Sequence, residues 1–288
     1  MRILITGANG QVGSALQRAL SHEDVIALSH AQLDITDAGA VLATLRDTAP
    51  ACVIHCAALT DTSACEHDPA RAEAINAVGT GNLARVCAQQ DRWLIALSTN
   101  EVFDGQSAAP YSEDAPPGPL NAYGRSKLNG ERLAAAMQSD AVIVRTSWVF
   151  GEGGSKSFVD KVVEALKAGR PLRFVSDEVS APTSADDLAA AIRLLIERNA
   201  AAGVYHLANA GQASRYDWAR EIAELADIDV QIGPVTTSEL REGGYDGPKK
   251  PPYSVLGNNR ARAIGVTLRP WQDALAAHFD RARIAADG

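Results

Sequence analysis

A short apolar run, Arg2-Ile3-Leu4-Ile5-Thr6, passes directly into Gly7-Ala8-Asn9-Gly10-Gln11-Val12-Gly13, and the pattern from Ser14 to Leu20 is helical. Strand, glycine turn and helix in that order leave few folds open. Gly7 turns the chain, Gly10 lets backbone approach a pyrophosphate, and Gly13 allows a helix to pack closely on the strand behind it. The helix N-terminus then offers free amides and a positive dipole end to phosphate. The stretch predicts the first unit of an α/β fold, a doubly wound parallel sheet of the Rossmann kind, with its dinucleotide loop at residues 7–13.

The next segments keep that rhythm. Asp24 to Leu28 is a second strand, and the residues at its end bear on the cofactor. Sites that take NAD place an acid there to hold the ribose 2′-hydroxyl, whereas this chain has Ser29-His30, and its nearest acid, Asp34, lies further along. NADPH is therefore favoured, with NADH left open. Ala38 to Asp47 is helical, Ala51 to Cys56 is a buried strand, and Ala57-Ala58-Leu59-Thr60 comes directly after it. Small residues at a strand's carboxyl end leave room for ribose and nicotinamide across the sheet. His55, inside the apolar run, reads as a core histidine. Pro69 to Gln89 is helical and Arg92 to Ser98 is the fourth strand.

Chemistry concentrates just beyond. Tyr123 and Lys127 are four apart at the head of a helical stretch ending at Met137, so they share a face. An ammonium beside a phenol favours phenolate and lowers the phenol's pKa, which makes the phenol a usable general acid. Tyr245 and Lys249 have the same spacing, but Gly247 and Pro248 between them break any helix. Ser98-Thr99-Asn100-Glu101 ends the fourth strand, where ligands bind in open α/β sheets. A Thr99 hydroxyl there can hold a substrate carbonyl oxygen as charge develops on it. A loop rich in proline and glycine between Thr99 and Tyr123 lets the two meet over one pocket.

Ala141 to Thr146 is the fifth strand, followed by Trp148. After residue 150 helices (Ser157 to Ala168, Ser184 to Arg198, Tyr216 to Leu225) alternate with short strands (Leu172 to Val175, Gly203 to Ala208). Gly233 to Tyr253 reads as a loop-rich stretch and carries Lys249-Lys250, paired cations suited to a diphosphate. Residues 1–150 are expected to form the NAD(P)-binding domain. Residues 151–288 are expected to be mainly a substrate-binding lobe, with segments near 180–209 returning to the first domain.

Length and charge close off other classes. A chain of 288 residues buries a sizeable core, and a net charge of −8 lacks the basic footprint that nucleic acid or an acidic membrane surface requires. Cys52, Cys56, Cys65 and Cys87 have irregular spacing and read as free thiols in a reducing, cytoplasmic setting. The first residues carry too short an apolar run for a signal peptide, and no later run approaches a membrane span.

TGANGQVG at 6–13, LDITD at 33–37, CAALT at 56–60, STNEVFDG at 98–105, YGRSKLNGE at 123–131 and RTSWVFG at 145–151 together resemble the extended short-chain dehydrogenase/reductases. The likeness continues through SAPTSADDLA at 180–189 and GVYHLAN at 203–209. The resemblance implies reduction of the 4-keto group of a nucleotide-linked 6-deoxyhexose, most directly dTDP-4-dehydro-L-rhamnose. It implies Tyr123 as proton donor, Lys127 as its partner and ribose ligand, and Thr99 as carbonyl stabiliser. Gly10, Gln11 and Val12 would lie on the pyrophosphate, Asp34 and Ile35 near the adenine, and Ala58, Leu59 and Thr60 beside the ribose, with His30, where members often carry a basic residue, also at the cofactor. Thr99, Asn100 and Trp148 would contact the sugar. Members often carry Asp-Tyr where this chain has Asn100-Glu101, so the sugar-facing pattern is altered here. Mg²⁺, used by some members at a subunit contact, has no ligand cluster in this sequence, and a homodimer stays open. Two other readings also stand at this point: a reductase or epimerase of another nucleotide sugar, and a non-catalytic NADP-binding subunit resembling the partner of methionine adenosyltransferase.

Overall fold

The computed structural model describes residues 1–287. Six parallel strands form its central sheet: β1 (Arg2–Thr6), β2 (Asp24–Leu28), β3 (Cys52–His55), β4 (Trp93–Thr99), β5 (Val142–Thr146) and β6 (Gly203–His206). Their spatial order is β6-β5-β4-β3-β1-β2. The chain therefore winds outward from β1 in both directions, which opens a crevice at the carboxyl ends of the strands beside β1.

Eight main helices accompany the sheet: α1 (Gln11–Ala19), α2 (Ala38–Thr48), α3 (Gly79–Gln89), α4 (Ala122–Met137), α5 (Phe158–Lys167), α6 (Ala185–Glu197), α7 (Arg215–Leu225) and α8 (Trp271–Asp287). Successive side chains of a strand face opposite ways, and a sheet covered on both faces needs apolar residues at every position. Ile3, Ile5, Ile54, Ile95, Val142 and Val144 pack with Leu16 of α1 and Leu188, Ile192 and Leu195 of α6. Their neighbours Leu4, Val53, Leu94, Ala96 and Ile143 face Val41, Leu45, Leu83 and Ala134 of α2, α3 and α4. Helix α6 and strand β6 thus complete the sheet from beyond residue 180.

A second core gathers Val159, Val162, Trp218, Ile222, Trp271 and Leu275 from α5, α7 and α8 around Phe150 of the short strand Val149–Phe150. Small strand pairs frame it, Leu172–Val175 with Ile232–Val235 and Val179–Ser180 with Ala213–Ser214. Within the loop-rich stretch 233–253, the first of these pairs forms the strand Ile232–Val235, and a helix follows at Thr237–Glu242. Gly233 and Pro234 disguise the strand, whose backbone partner is distant in sequence. The helix is announced by a capping box in which the Thr236 hydroxyl and the Glu239 carboxylate each accept a backbone N–H.

All four cysteines are free. Among the described residues, no helix is long and apolar enough to cross a membrane.

Candidate active site

The crevice at the carboxyl edge of β1, β3, β4 and β5 is a cleft of about 990 Å³, within the range of small-molecule sites. Gly7, Gly10, Gln11, Val12, Gly13, His30, Asp34, Ile35, Ala58, Leu59, Thr60, Thr99, Asn100, Glu101, Tyr123, Lys127, Trp148 and Lys250 all line it. Lys249 does not; its backbone carbonyl instead accepts from Asn121 at 2.8 Å.

At one end lies the glycine loop. Gly7 sits at φ +67°, and a Cβ there would press on the backbone of Ala57 at 2.6 Å. A Cβ on Gly13 would run into the Gly7 carbonyl and the Ala8 backbone, so α1 approaches β1 only with glycine at that place. Gly10 is the N-cap of α1 and no side chain caps this end, whereas α2, α4, α5 and α7 are capped by Asp37, Asn121, Ser157 and Ser214. First-turn amides left without a side-chain partner and facing a cleft suit a pyrophosphate. The cradle therefore fits a dinucleotide. Exposed His30 lies just past β2, and the Asp34 carboxylate is held by the amide and hydroxyl of Thr36 at 2.9 and 2.8 Å, which keeps its pKa low.

Tyr123 and Lys127 stand one turn apart on α4, and β4 carries Thr99 to them. The Thr99 hydroxyl accepts from the Glu101 amide at 3.1 Å and caps the tight turn Asn100–Val102. Lys127 donates to the Leu97 carbonyl at 2.6 Å. Burial pushes its ammonium down to about 8, opposed by the negative charge of Glu131. The Tyr123 phenol is pushed well above its ordinary range, first by burial and then by the Glu101 charge, with the Thr99 hydroxyl acting the other way. This corrects the expectation of a lowered phenol: burial first, and then the Glu101 carboxylate, make it resist ionisation.

Glu101 is itself ion-paired. One carboxylate oxygen accepts from Lys250 Nζ at 2.7 Å and the other from Asn121 Nδ2 at 2.7 Å, while Lys250 also reaches the Thr62 hydroxyl at 3.0 Å. The altered Asn100-Glu101 pair therefore carries no loose negative charge into the cleft. Asn100 is likewise engaged, donating to the hydroxyls of Ser254 and Ser180 at 2.7 and 3.2 Å. Trp148 faces the cleft from a left-handed backbone, φ +42°.

Two residues here escaped sequence reasoning. Asn76 lies in a π-helical turn, Ala74–Val78, and is fully buried. It bonds both backbone groups of Leu59 and the Ser126 hydroxyl, so it ties the loop after β3 to α4. Nothing in the alanine-rich stretch marks it. Arg215 begins α7 and lines the cleft with its guanidinium over the Trp148 ring. The capping box Ser214-x-x-Asp217 fixes that helix start and was the signal available.

The model of the RmlD substrate binding domain family matches residues 1–284. The chain is 40% identical to the dTDP-4-dehydrorhamnose reductase of Mycolicibacterium smegmatis, over 95% of this chain and 84% of that one. It is 39% identical to the probable dTDP-4,6-dihydroxy-2-methyloxan-3-one 4-ketoreductase of Streptomyces antibioticus, over 97% and 95%. Among solved structures, dTDP-4-dehydrorhamnose reductase from Bacillus anthracis in complex with NADP superposes with a TM-score of 0.92 at 34% identity, covering 97% of this chain and 99% of that one.

Proposed function

The chain belongs to the RmlD substrate binding domain family, one of the extended short-chain dehydrogenase/reductases, and we propose that it reduces the 4-keto group of a nucleotide-linked 6-deoxyhexose with NADPH. The substrate we assign is dTDP-4-dehydro-L-rhamnose, giving dTDP-L-rhamnose, in keeping with the reductases it is similar to. The observation that carries this reading is the convergence of Tyr123, Lys127 and Thr99 on a cleft whose other end is the uncapped glycine loop.

When bound, the dinucleotide supplies the hydride. The residues that would hold it are Gly10 to Gly13 at its pyrophosphate, Ala58 to Thr60 and Lys127 at its ribose, and His30, Asp34 and Ile35 at its adenosine end. The absence of an acid directly after β2, together with an Asp34 already engaged by Thr36, supports NADPH over NADH.

Tyr123 donates the proton. A phenol held above its usual pKa stays protonated at neutral pH and releases its proton only when a much stronger base, the sugar's developing alkoxide, forms beside it. Thr99 holds that oxygen, and the Lys127 ammonium places positive charge against the phenolate left behind. Trp148 and the Glu101–Lys250 pair border the sugar side.

The test is oxidation of NADPH by enzymatically generated dTDP-4-dehydro-L-rhamnose, monitored by loss of the reduced nicotinamide's absorbance. Tyr123→Phe is expected to bind NADPH as the wild type does and to lose about 10²–10⁴-fold in turnover, the range for a general acid. Turnover near wild type in that variant would remove Tyr123 from the role.

A further inference from the structure

Arg215 holds a position that the proposed reduction does not explain. It lines the same cleft as Thr99, Tyr123 and Lys250 and is half-buried. Its guanidinium carbon lies 3.7 Å from the centroid of the Trp148 ring, 4.9 Å from that of Phe158 and 5.4 Å from that of Trp218. A guanidinium laid on an aromatic face keeps its N–H groups in its own plane, directed outward from the stack. Among the described residues, none takes an ion pair or a side-chain hydrogen bond from it. Glu178 and Glu101 act on it only through space, and burial lowers it to about 10, so it is charged at neutral pH.

The other cleft cations are differently placed. Lys127 is spent on the Leu97 carbonyl, and Lys250 on Glu101 and Thr62. Arg71 is exposed on the rim and Lys156 pairs with Glu164. The Trp148 platform is held firmly. Its left-handed backbone is an uncommon state for a bulky residue, one that persists where the surroundings over-determine it. Those surroundings are the Ser147 hydroxyl donating to the Ala181 carbonyl at 2.7 Å and the Thr183 amide donating to the Trp148 carbonyl at 3.2 Å.

We propose that Arg215 is the diphosphate ligand of this cleft, its plane fixed by Trp148 so that its free edge receives the phosphate oxygens of the nucleotide sugar. A planar fork of N–H donors matches phosphate geometry, and prior stacking removes much of the rotamer freedom that binding would otherwise have to fix. The assignment of the diphosphate to a sugar nucleotide rests on the proposed reduction; the anion site itself rests on the arginine.

The experiment is calorimetric titration of dTDP, and of inorganic pyrophosphate, into the full chain saturated with NADP⁺. It compares the wild type with Arg215→Met, which keeps the length that packs on Trp148, and Arg215→Lys, which keeps the charge without the fork. Affinity for dTDP is expected to fall about 10–100-fold in the methionine variant and less in the lysine variant, as for loss of charge-assisted hydrogen bonds. NADPH affinity and thermal midpoint should stay as in the wild type, and in turnover KM should rise far more than kcat falls. Unchanged dTDP affinity in Arg215→Met overturns the proposal. So does a parallel loss of dTDP binding, NADPH binding and stability, which marks a purely packing role. A wild type that binds dTDP through Arg215 but oxidises no NADPH with the keto sugar sinks the reaction and upholds this site. Normal turnover with dTDP binding indifferent to residue 215 does the reverse.

Discussion

Lys127 shows how one buried side chain is tuned by its neighbours in the core. Its ammonium has left water for the interior, which lowers its pKa to about 8, and the Glu131 carboxylate keeps the fall from going further. Glu131 is itself held by Arg145 through two hydrogen bonds, at 2.9 and 2.6 Å, all within the core. The folded pKa thus lies below the unfolded one. The charged lysine opposes folding fully below about pH 8, and that opposition fades as pH rises toward the ordinary lysine range. For catalysis the proton is needed, so kcat/KM is expected to decline above about pH 8, well before an exposed lysine would titrate. In Glu131→Gln this basic limb should move to lower pH, because the charge that favours the ammonium is gone. The same substitution leaves Arg145 uncompensated and should destabilise by about 3–5 kcal/mol, the range for breaking a buried pair. A pH–rate profile and a urea titration of this variant check both, and a basic limb that does not move would show that Glu131 does not act on Lys127.

At the scale of elements, the helical segment before β4 is interrupted by one wider turn, and that turn aims Asn76 at its neighbours. π-helical turns recur at functional sites because the extra residue re-aims side chains. Asn76 accepts from the Leu59 amide at 2.8 Å and donates to the Leu59 carbonyl at 3.0 Å, so it fixes the loop that borders the cofactor end of the cleft. Asn76→Ala should lose about 1–3 kcal/mol of stability by leaving these groups unpaired, and should weaken NADPH binding more than it slows turnover at saturation. Thermal melts with and without NADPH read this directly; equal NADPH affinity in the two proteins would confine Asn76 to folding. Such residues also mark where the sequence stopped being legible. The strands, α1 and α4 come from local pattern, because apolar runs and glycine spacing are local properties. So are the Tyr123–Lys127 spacing and the glycine loop. Asn76 and Arg215 act across long sequence separations, and the strand Ile232–Val235 exists only because Leu172–Val175 lies beside it. The lowered phenol pKa expected from spacing also failed, because spacing shows who shares a helix face but not that burial and Glu101 hold the phenol up.

The molecule as a whole is interleaved. Residues 1–150 contain the glycine loop, Thr99, Tyr123 and Lys127, yet the sheet they form is unfinished. One face is covered by α6, whose Leu188, Ile192 and Leu195 are fully buried against Ile3, Ile5, Ile54 and Val142. Strand β6 pairs with β5 along Val142 to Arg145 and closes that edge. The reaching side is tied as well, since Lys250 and Ser254 come back to Glu101 and Asn100. A fragment ending at 150 would expose an apolar sheet face and the unpaired edge of β5, a template for association with other chains. Residues 1–150 produced alone are therefore expected to aggregate or to melt without a cooperative transition, although the dinucleotide loop is intact within them. The whole chain should unfold in one transition whose midpoint rises with NADPH concentration, by about 2.7 kcal/mol of stabilisation at a hundredfold excess over Kd. Scanning calorimetry on the fragment and the full chain separates the outcomes. A fragment that melts cooperatively and is stabilised by NADPH would mean that the sheet is self-sufficient, and that the return of α6 and β6 serves only to hang the second lobe over the cleft.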